Sequence, residues 1–248
     1  MLIRILRAVY SRIRELPFTG WARLLLPLCL AMLVPKFLGS LAAHDLPLLE
    51  EGAEREAVIL RLPAFLGLEI LVVVALYSSV VIAIHRLYLL GGSSIPFYGF
   101  TGDLNLLLRV SGYVLLLMIA LGILGLLIPS ELFSAVIGFE GTLLSYLACL
   151  VLLVMLSRFC LVFPATALGK KGALRYSWRQ TSTNKVVAFS LSILLPLILM
   201  ILTDPLIGSG EDWRDFVANI LGAMCVLVVT IFLSEFYRQV TRLDPSVE

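Results

Sequence analysis

The sequence predicts an all-α fold: a polytopic membrane helical bundle of six transmembrane helices with both termini in the cytoplasm. Apolar residues make up 60% of the 248-residue chain, and its mean hydropathy is +1.02. Six apolar runs are separated by loops that are alternately basic and acidic. Because about 20 apolar residues in a helix cross a hydrocarbon core of roughly 30 Å, this composition excludes a soluble protein.

The six apolar runs are the predicted membrane spans. They contain few charges, and they lack the alternation of apolar and polar residues that marks the strands of a membrane barrel, so helices are the spanning structure that fits them. The runs cover residues 21–43, 63–84, 108–128, 141–163, 186–207 and 216–237.

The distribution of charge predicts which loops face the cytoplasm. Most of the 19 lysines and arginines fall in the N-terminal segment, in residues 85–109 and 158–185, or after residue 237. Most of the 17 acidic residues fall in the other three loops. Short loops rich in Lys and Arg stay on the cytoplasmic side, so an even number of spans with both termini inside satisfies every loop. Residues 238–248 then form a cytoplasmic tail.

Residues 1–20 predict a basic amphipathic helix that lies in the headgroup layer. Apolar side chains recur at helical spacing while arginines occupy the other faces. The apolar set is Leu2, Leu6, Val9, Ile13 and Leu16, and the basic set is Arg4, Arg7, Arg12 and Arg14. Two alternatives stay open: the segment acts only as an orientation signal, or it begins a signal peptide cleaved after Ala43.

Ionisable side chains within the apolar runs are the first candidates for function, because a charge at bilayer depth costs several kcal/mol. Glu69, in the second run, is the leading candidate, and Lys36 near the outer end of the first run is its expected partner. Glu69 is a member of a structural pair, a proton or cation site, or a side chain that snorkels to the surface. Arg158 and Glu235, near inner ends, are expected to snorkel or to pair with each other.

Enzyme signatures are sparse. His85 and Arg86 end the second run on the cytoplasmic side, where contact with lipid headgroups is the favoured role. The chain has only two histidines, and it contains no Walker loop, Gly-x-Ser-x-Gly elbow or His-Glu-x-x-His helix. Its four cysteines have no Cys-x-x-Cys spacing. No catalytic residue, cofactor or metal site is predicted.

The connection between the fourth and fifth runs predicts a short interfacial helix. One side of it is expected to carry Ala173, Leu174, Ser177, Trp178 and Thr181, and neighbouring lysines and arginines are expected among lipid headgroups. Asn184, with the two residues before it, is expected to cap the fifth span. Pro196 is expected to kink that span near its middle.

The residues of this connection carry a resemblance to a known group of proteins. The pattern consists of Arg158, Leu161 to Ala165, Ala167, Ser177, Trp178, Thr181 and Asn184. It resembles uncharacterised bacterial six-helix integral membrane proteins related to the YciC-like family and to the membrane domain of some glycerophosphodiester phosphodiesterases. The first half departs from the pattern, with Gly91 to Ser94 and an aromatic stretch at 97–100 where relatives tend to carry an Arg-rich segment. The resemblance implies architecture and a bacterial inner membrane, whereas phosphodiesterase activity is not implied because no such domain follows.

Taken together, these patterns favour a non-enzymatic scaffold, assembly or regulatory protein. It would act on membrane lipids or on a membrane-protein partner, which includes a second copy of itself. A net charge of +2 gives no reason to expect a nucleic-acid partner. The first alternative is a small transporter or channel that uses Glu69. The second is a lipid-modifying enzyme that holds a phosphate with His85, Arg86 and Arg158.

Overall fold

The chain folds into helices throughout the part that the computed structural model describes. The described residues are 1–15, 18–19, 21–24, 27–30, 33–34, 55–91, 103–127, 147–207 and 212–242. The helices are α1 (Leu2–Glu15), α2 (Arg55–Leu90), α3 (Leu104–Leu127), α4 (147–157), α5 (Val162–Ala167), α6 (Ala173–Thr183), α7 and α8 (Asp212–Arg242). α7 runs from Lys185–Phe189 through a π-helical turn at Ser190–Leu194 into Leu195–Ile207. Much of the first predicted span, with Lys36, lies outside the described residues.

Four helical segments are long and apolar enough to cross a membrane. They are Gly67–Leu90, Leu147–Ala167, Lys185–Leu202 and Ile220–Thr241, and α3 adds a shorter apolar stretch at Leu104–Ala120. These helices point to a membrane protein, and the all-helical class predicted from the sequence is confirmed for the described chain. The presence of six spans and the cytoplasmic location of both termini stay predictions.

Local signals explain where several helices begin and end. The carboxylate of Asp103 accepts a hydrogen bond of 3.1 Å from the Leu106 N–H, which caps the start of α3. After α5, Gly169 adopts a φ of +76°, a conformation that side chains with a Cβ rarely adopt. The Gly169 N–H donates to the Thr166 carbonyl and the Lys170 N–H to the Ala165 carbonyl. This pair of hydrogen bonds is a Schellman motif, which ends α5 and turns the chain towards α6.

The fourth predicted span is interrupted where the sequence predicts a continuous helix to residue 163. The α-helical structure ends at residue 157, turns occupy 158–161, and α5 restarts at Val162. Within the interruption, the N–H groups of Arg158, Phe159 and Cys160 bond to carbonyls three residues earlier. The interruption lies within the apolar segment Leu147–Ala167.

The π-helical turn in α7 is the local response to Pro196. A proline ring has no N–H to donate and collides with the carbonyl four residues earlier, which here belongs to Ser192. The preceding turn is widened, and the Leu195 N–H bonds to the Ser190 carbonyl, five residues back. The expected kink at Pro196 therefore takes the form of a widened turn before the proline, within a helix that continues to Ile207.

The buried core of the described chain lies at one end of the bundle, which we call the basic end. It contains the last turns of α2, α5 and α8 and the first turns of α3 and α7, together with α1 and α6. Tyr88 and Phe236 are its largest fully buried side chains. Because most described lysines and arginines also lie there, burial and positive charge coincide at the same end of the molecule.

The distribution of burial along α8 predicts unequal costs for the same substitution. Ile231 is 2% exposed and Ile220 is 38% exposed. Replacement of a buried Ile by Ala costs about 2–5 kcal/mol, so Ile231→Ala should lower the free energy of unfolding by that amount. Ile220→Ala is the matched control and should have a much smaller effect. Detergent-induced unfolding in mixed micelles measures both, and equal losses would contradict the location of the core.

Candidate functional site

The basic end contains five of the seven residues that the sequence analysis selected. His85 and Arg86 lie in the last turns of α2, Arg158 at the interruption after α4, and Trp178 and Asn184 on and after α6. Of the other two, Glu69 is on α2, 16 residues before His85 and therefore about 24 Å away along the helix axis. Lys36 lies outside the described residues, so its pairing with Glu69 stays a prediction.

The Arg158 side chain is held by α6, and we call Arg158, Ser177, Trp178 and Thr181 the Arg158 cluster. Its guanidinium Nε donates to Thr181 Oγ1 at 3.1 Å, and Nη2 donates to the Trp178 carbonyl at 2.8 Å. The guanidinium carbon also lies 4.2 Å from the centre of the Trp178 ring. A planar guanidinium can stack and donate in two directions at once, which a lysine cannot.

Two backbone groups at the interruption, the Arg158 carbonyl and the Leu161 N–H, bond to one hydroxyl group of α6, that of Ser177. Ser177 Oγ donates to the Arg158 carbonyl at 2.7 Å and accepts from the Leu161 N–H at 3.1 Å. Thr181 Oγ1 donates to the Ser177 carbonyl at 2.7 Å. Ser177 and Thr181 are fully buried. The Ser177 side chain thus supplies the partners that a continuous helix would have supplied to the Arg158 carbonyl and the Leu161 N–H, and it fixes α6 against α5.

Asn184 joins α6 to α7 through its backbone. Its N–H donates to the Thr181 carbonyl at 3.2 Å, and its carbonyl accepts from the Ala188 N–H at 3.0 Å. It occupies the position before α7, but its side chain forms no capping hydrogen bond. The prediction that the Asn184 side chain caps α7 is therefore wrong. The backbone of Asn184, with a φ of −121° and its two hydrogen bonds, connects α6 to α7 instead.

A second buried cluster surrounds Glu235 between α2 and α8. The Arg238 guanidinium binds both oxygens, with Nε 2.8 Å from Oε2 and Nη2 donating to Oε1 at 3.0 Å. Tyr88 Oη donates to Oε2 and Gln239 Nε2 donates to Oε1, each at 3.0 Å. Glu235 is 1% exposed, so these four contacts together replace the water that a carboxylate otherwise requires.

The expected pairing of Arg158 with Glu235 is wrong. Arg158 is engaged by α6 and Glu235 by Arg238, three residues further along the same helix. An ion pair at this spacing forms within one helix turn. It therefore needs no particular packing between helices, whereas a pair with Arg158 would.

His85 is buried against α8 one turn before Tyr88. Its Nδ1 lies 2.6 Å from Ser234 Oγ, and Ser234 Oγ donates to the Thr230 carbonyl at 2.8 Å. Because a hydroxyl has one proton, Ser234 must accept from His85, which places a proton on His85 Nδ1. His85 Nε2 is buried and has no hydrogen-bond partner among the described residues.

Arg86 points to a different neighbour from His85. Its Nε donates to the Ala167 carbonyl at 3.0 Å, at the C-terminal end of α5, where a positive charge complements the helix dipole. His85 faces α8, Arg86 faces the end of α5, and Arg158 faces α6. The three residues that would hold a phosphate in a lipid-modifying enzyme are thus directed to three separate protein partners.

Glu69 does not share a side of α2 with these residues. At 100° per residue, 16 positions place it about 160° around the helix from His85. Its side chain is partly exposed. Glu69 and the polar groups of the basic end therefore do not form one continuous site.

The described residues bring no three His, Cys, Asp or Glu side chains close enough to hold a metal ion. None of the four cysteines, all of which lie in the described part of the chain, forms a disulfide, and those at 149 and 160 are buried. In this part of the chain they act as small apolar residues of the bundle.

Sequence reasoning missed the partners of Glu235 and His85. The spacing of Glu235 with Arg238 and Gln239, three and four residues apart, is a signal that could have found the local half of the Glu235 cluster. The contacts of Tyr88 and His85 with α8 depend on how two distant helices pack, and no local pattern in the sequence indicates them.

Comparison of the chain with protein-family models, with curated proteins and with solved structures gives no match. The protein's class rests on its own helices. Their length and apolar composition are those of a helical membrane protein.

The Arg158 cluster predicts that one hydroxyl of α6 matters far more than another. Ser177→Ala leaves the Leu161 N–H and the Arg158 carbonyl without their partner, which costs about 1–3 kcal/mol for a buried group. Ser182→Ala, on the exposed side of the same helix, should change stability by less than about 0.5 kcal/mol. The free energy of unfolding in mixed micelles measures both variants. Equal effects would show that Ser177 is not the link between α6 and the interruption.

The Glu235 cluster predicts a large cost for losing a buried carboxylate. Glu235→Ala leaves Arg238 and Tyr88 without their partner, and loss of one member of a buried ion pair costs about 3–5 kcal/mol. The matched control is Glu15→Ala, which removes an exposed pair with Arg12 at the same three-residue spacing and should cost less than about 1 kcal/mol. Thermal unfolding in detergent compares them. A Glu235→Ala protein as stable as the control would contradict the assignment of a structural ion pair.

Proposed function

We propose that this protein is a non-enzymatic membrane scaffold that assembles or regulates a membrane-protein partner or the surrounding lipids through its basic end. The proposal rests on one observation: the buried polar groups of the basic end bond to other groups of the same protein. The Arg158 and Glu235 clusters bond to the protein's own backbone and side chains, so these groups hold helices in place. A catalytic site instead keeps a nucleophile or base directed at a place where substrate can bind.

The same arrangement supports the proposed topology of six spans with both termini in the cytoplasm. α1 packs against α8 near its C-terminal end, so the N-terminal helix and the end of the last helix lie at one end of the molecule. That end carries most of the positive charge, and positively charged loops stay on the cytoplasmic side. With the bacterial resemblance of residues 158–184, this gives the inner membrane as the proposed location.

Relationship to the YciC-like group is part of the proposal. The residues that carry the resemblance have structural roles here: Leu161, Ala165 and Ala167 are fully buried, Ser177 bonds to the backbone of the interruption, and Thr181 accepts from the Arg158 guanidinium. A pattern of this kind specifies how α5 and α6 pack. It supports a shared architecture and is silent about substrates.

Solute flux tests the proposal against the transporter alternative. The purified protein in sealed proteoliposomes should give no flux of protons, small cations or organic anions above that of empty liposomes. The Glu69→Gln variant should behave in the same way, because a partly exposed carboxylate outside the buried clusters has no role in a scaffold. Robust flux by the wild-type protein that Glu69→Gln abolishes would overturn the scaffold and establish a transporter.

A further inference from the structure

Two helices at the basic end, α1 and α6, share a surface pattern that a bundle does not need for its own packing. Each helix buries one side against the protein. Each then exposes an apolar strip beside that buried side, and arginines lie beyond the strip. We infer that α1 and α6 form one binding surface for the headgroups of anionic phospholipids in a single leaflet. This inference rests on the proposed function and names the lipid class on which the scaffold acts.

Some of the apolar residues of α1 are buried against the protein, and others are exposed. Ile5 and Val9 are buried in the core shared with α8. Leu2, Leu6 and Ile13 are 43%, 48% and 41% exposed on the adjacent side. One apolar strip therefore holds α1 to the bundle, and a second strip is exposed. In a membrane protein, a helix near the leaflet surface meets the boundary between headgroups and acyl chains, and the second strip would contact that boundary.

Arginines border the exposed strip of α1. Arg4, Arg7 and Arg14 are exposed, and at 100° per residue they follow the strip on the side away from the bundle. The Arg14 guanidinium carbon lies 4.7 Å from the centre of the exposed Tyr10 ring, which sits between the two zones. This order, from apolar to aromatic to cationic, matches the order of acyl chains, interface and phosphates in a leaflet.

α6 repeats the pattern with different residues. Ala173, Ser177 and Thr181 form its buried side, and Leu174 and Trp178 are 44% and 41% exposed next to them. Arg175 and Arg179 are exposed beyond that strip. A partly exposed tryptophan such as Trp178 is typical of membrane interfaces. Since the Arg158 cluster fixes α6 to the bundle, the strip and its arginines are held in a defined orientation.

The chemistry selects anionic lipid over a protein partner. Both surfaces combine exposed aliphatic side chains with arginines. α6 contains no acidic residue, and the single acid of α1, Glu15 in its last turn, is paired with Arg12. Arginine binds phosphate oxygens in a forked geometry, and each arginine near an anionic lipid surface strengthens its attraction about fivefold. The same pattern occurs on two helices at the same end of the protein. A lipid leaflet is a continuous planar surface, so both helices can contact it at once.

Quenching of tryptophan fluorescence by brominated lipids tests this surface in the full-length protein. With Trp21→Phe and Trp213→Phe, Trp178 is the single reporter on α6. Vesicles contain phosphatidylcholine mixed with phosphatidylglycerol, and the bromine is placed on one lipid or the other at equal mole fraction. Brominated phosphatidylglycerol should associate near Trp178 at least fivefold more strongly than brominated phosphatidylcholine, since one arginine alone contributes about fivefold. Tyr10→Trp in a background without the native tryptophans should report the same preference for α1.

Charge removal and salt supply the controls. Arg175→Gln with Arg179→Gln should abolish the preference at Trp178, and 1 M salt should weaken it in the unsubstituted surface because ionic screening then acts within about 3 Å. Arg55→Gln with Arg61→Gln removes two charges from the first turns of α2, at the opposite end, and should leave the preference unchanged. Trp213 as the single reporter, near the start of α8, should show no preference.

Equal quenching of Trp178 by the two brominated lipids would overturn the inference, and so would a preference that survives loss of both arginines and high salt. Protection of Trp178 from both lipids would also overturn it, since a protein partner would then cover the strip. These outcomes are independent of solute flux. A protein with neither flux nor lipid preference keeps the scaffold and loses this surface, whereas flux together with lipid preference removes the scaffold and keeps the surface.

Discussion

Hydrogen-bond satisfaction at Arg158 is the constraint on which the arrangement of the basic end depends. Within a membrane, a backbone group that leaves the helical pattern must find another partner in the protein. The interruption between α4 and α5 frees the Arg158 carbonyl and the Leu161 N–H, and Ser177 binds both. That requirement fixes α6 next to α5, which orients its exposed strip and sets the point where α7 begins.

A second consequence is the concentration of burial at one end of the bundle. The Glu235 cluster joins α2 to α8 through Tyr88, and His85 joins them again through Ser234. In each of the four segments long and apolar enough to cross a membrane, more than half of the apolar window is not buried inside the protein, as expected where lipid is the neighbour. The protein is therefore held together at its basic end, and its helices are free to present apolar surface to lipid beyond it.

Sequence reasoning reached the fold class because hydropathy and length depend on the chain alone. It also located the short helix before Asn184, since Ala173, Ser177 and Thr181 repeat at helical spacing. It did not reach the interruption at Arg158, because Ser177 replaces the lost backbone bonds only once α6 has packed. The expected pair of Arg158 and Glu235 failed for the same reason: two residues at inner ends resemble partners until the packing of whole helices assigns each one elsewhere.

Native mass spectrometry of the protein, extracted gently from its own membrane, tests the central claim most directly. The claim is that the basic end engages a membrane component and converts no substrate. We expect a second polypeptide at fixed stoichiometry, or anionic phospholipid, to stay bound to the wild-type protein. Recovery of a bare chain that retains neither, under conditions in which its own fold survives, would contradict the account.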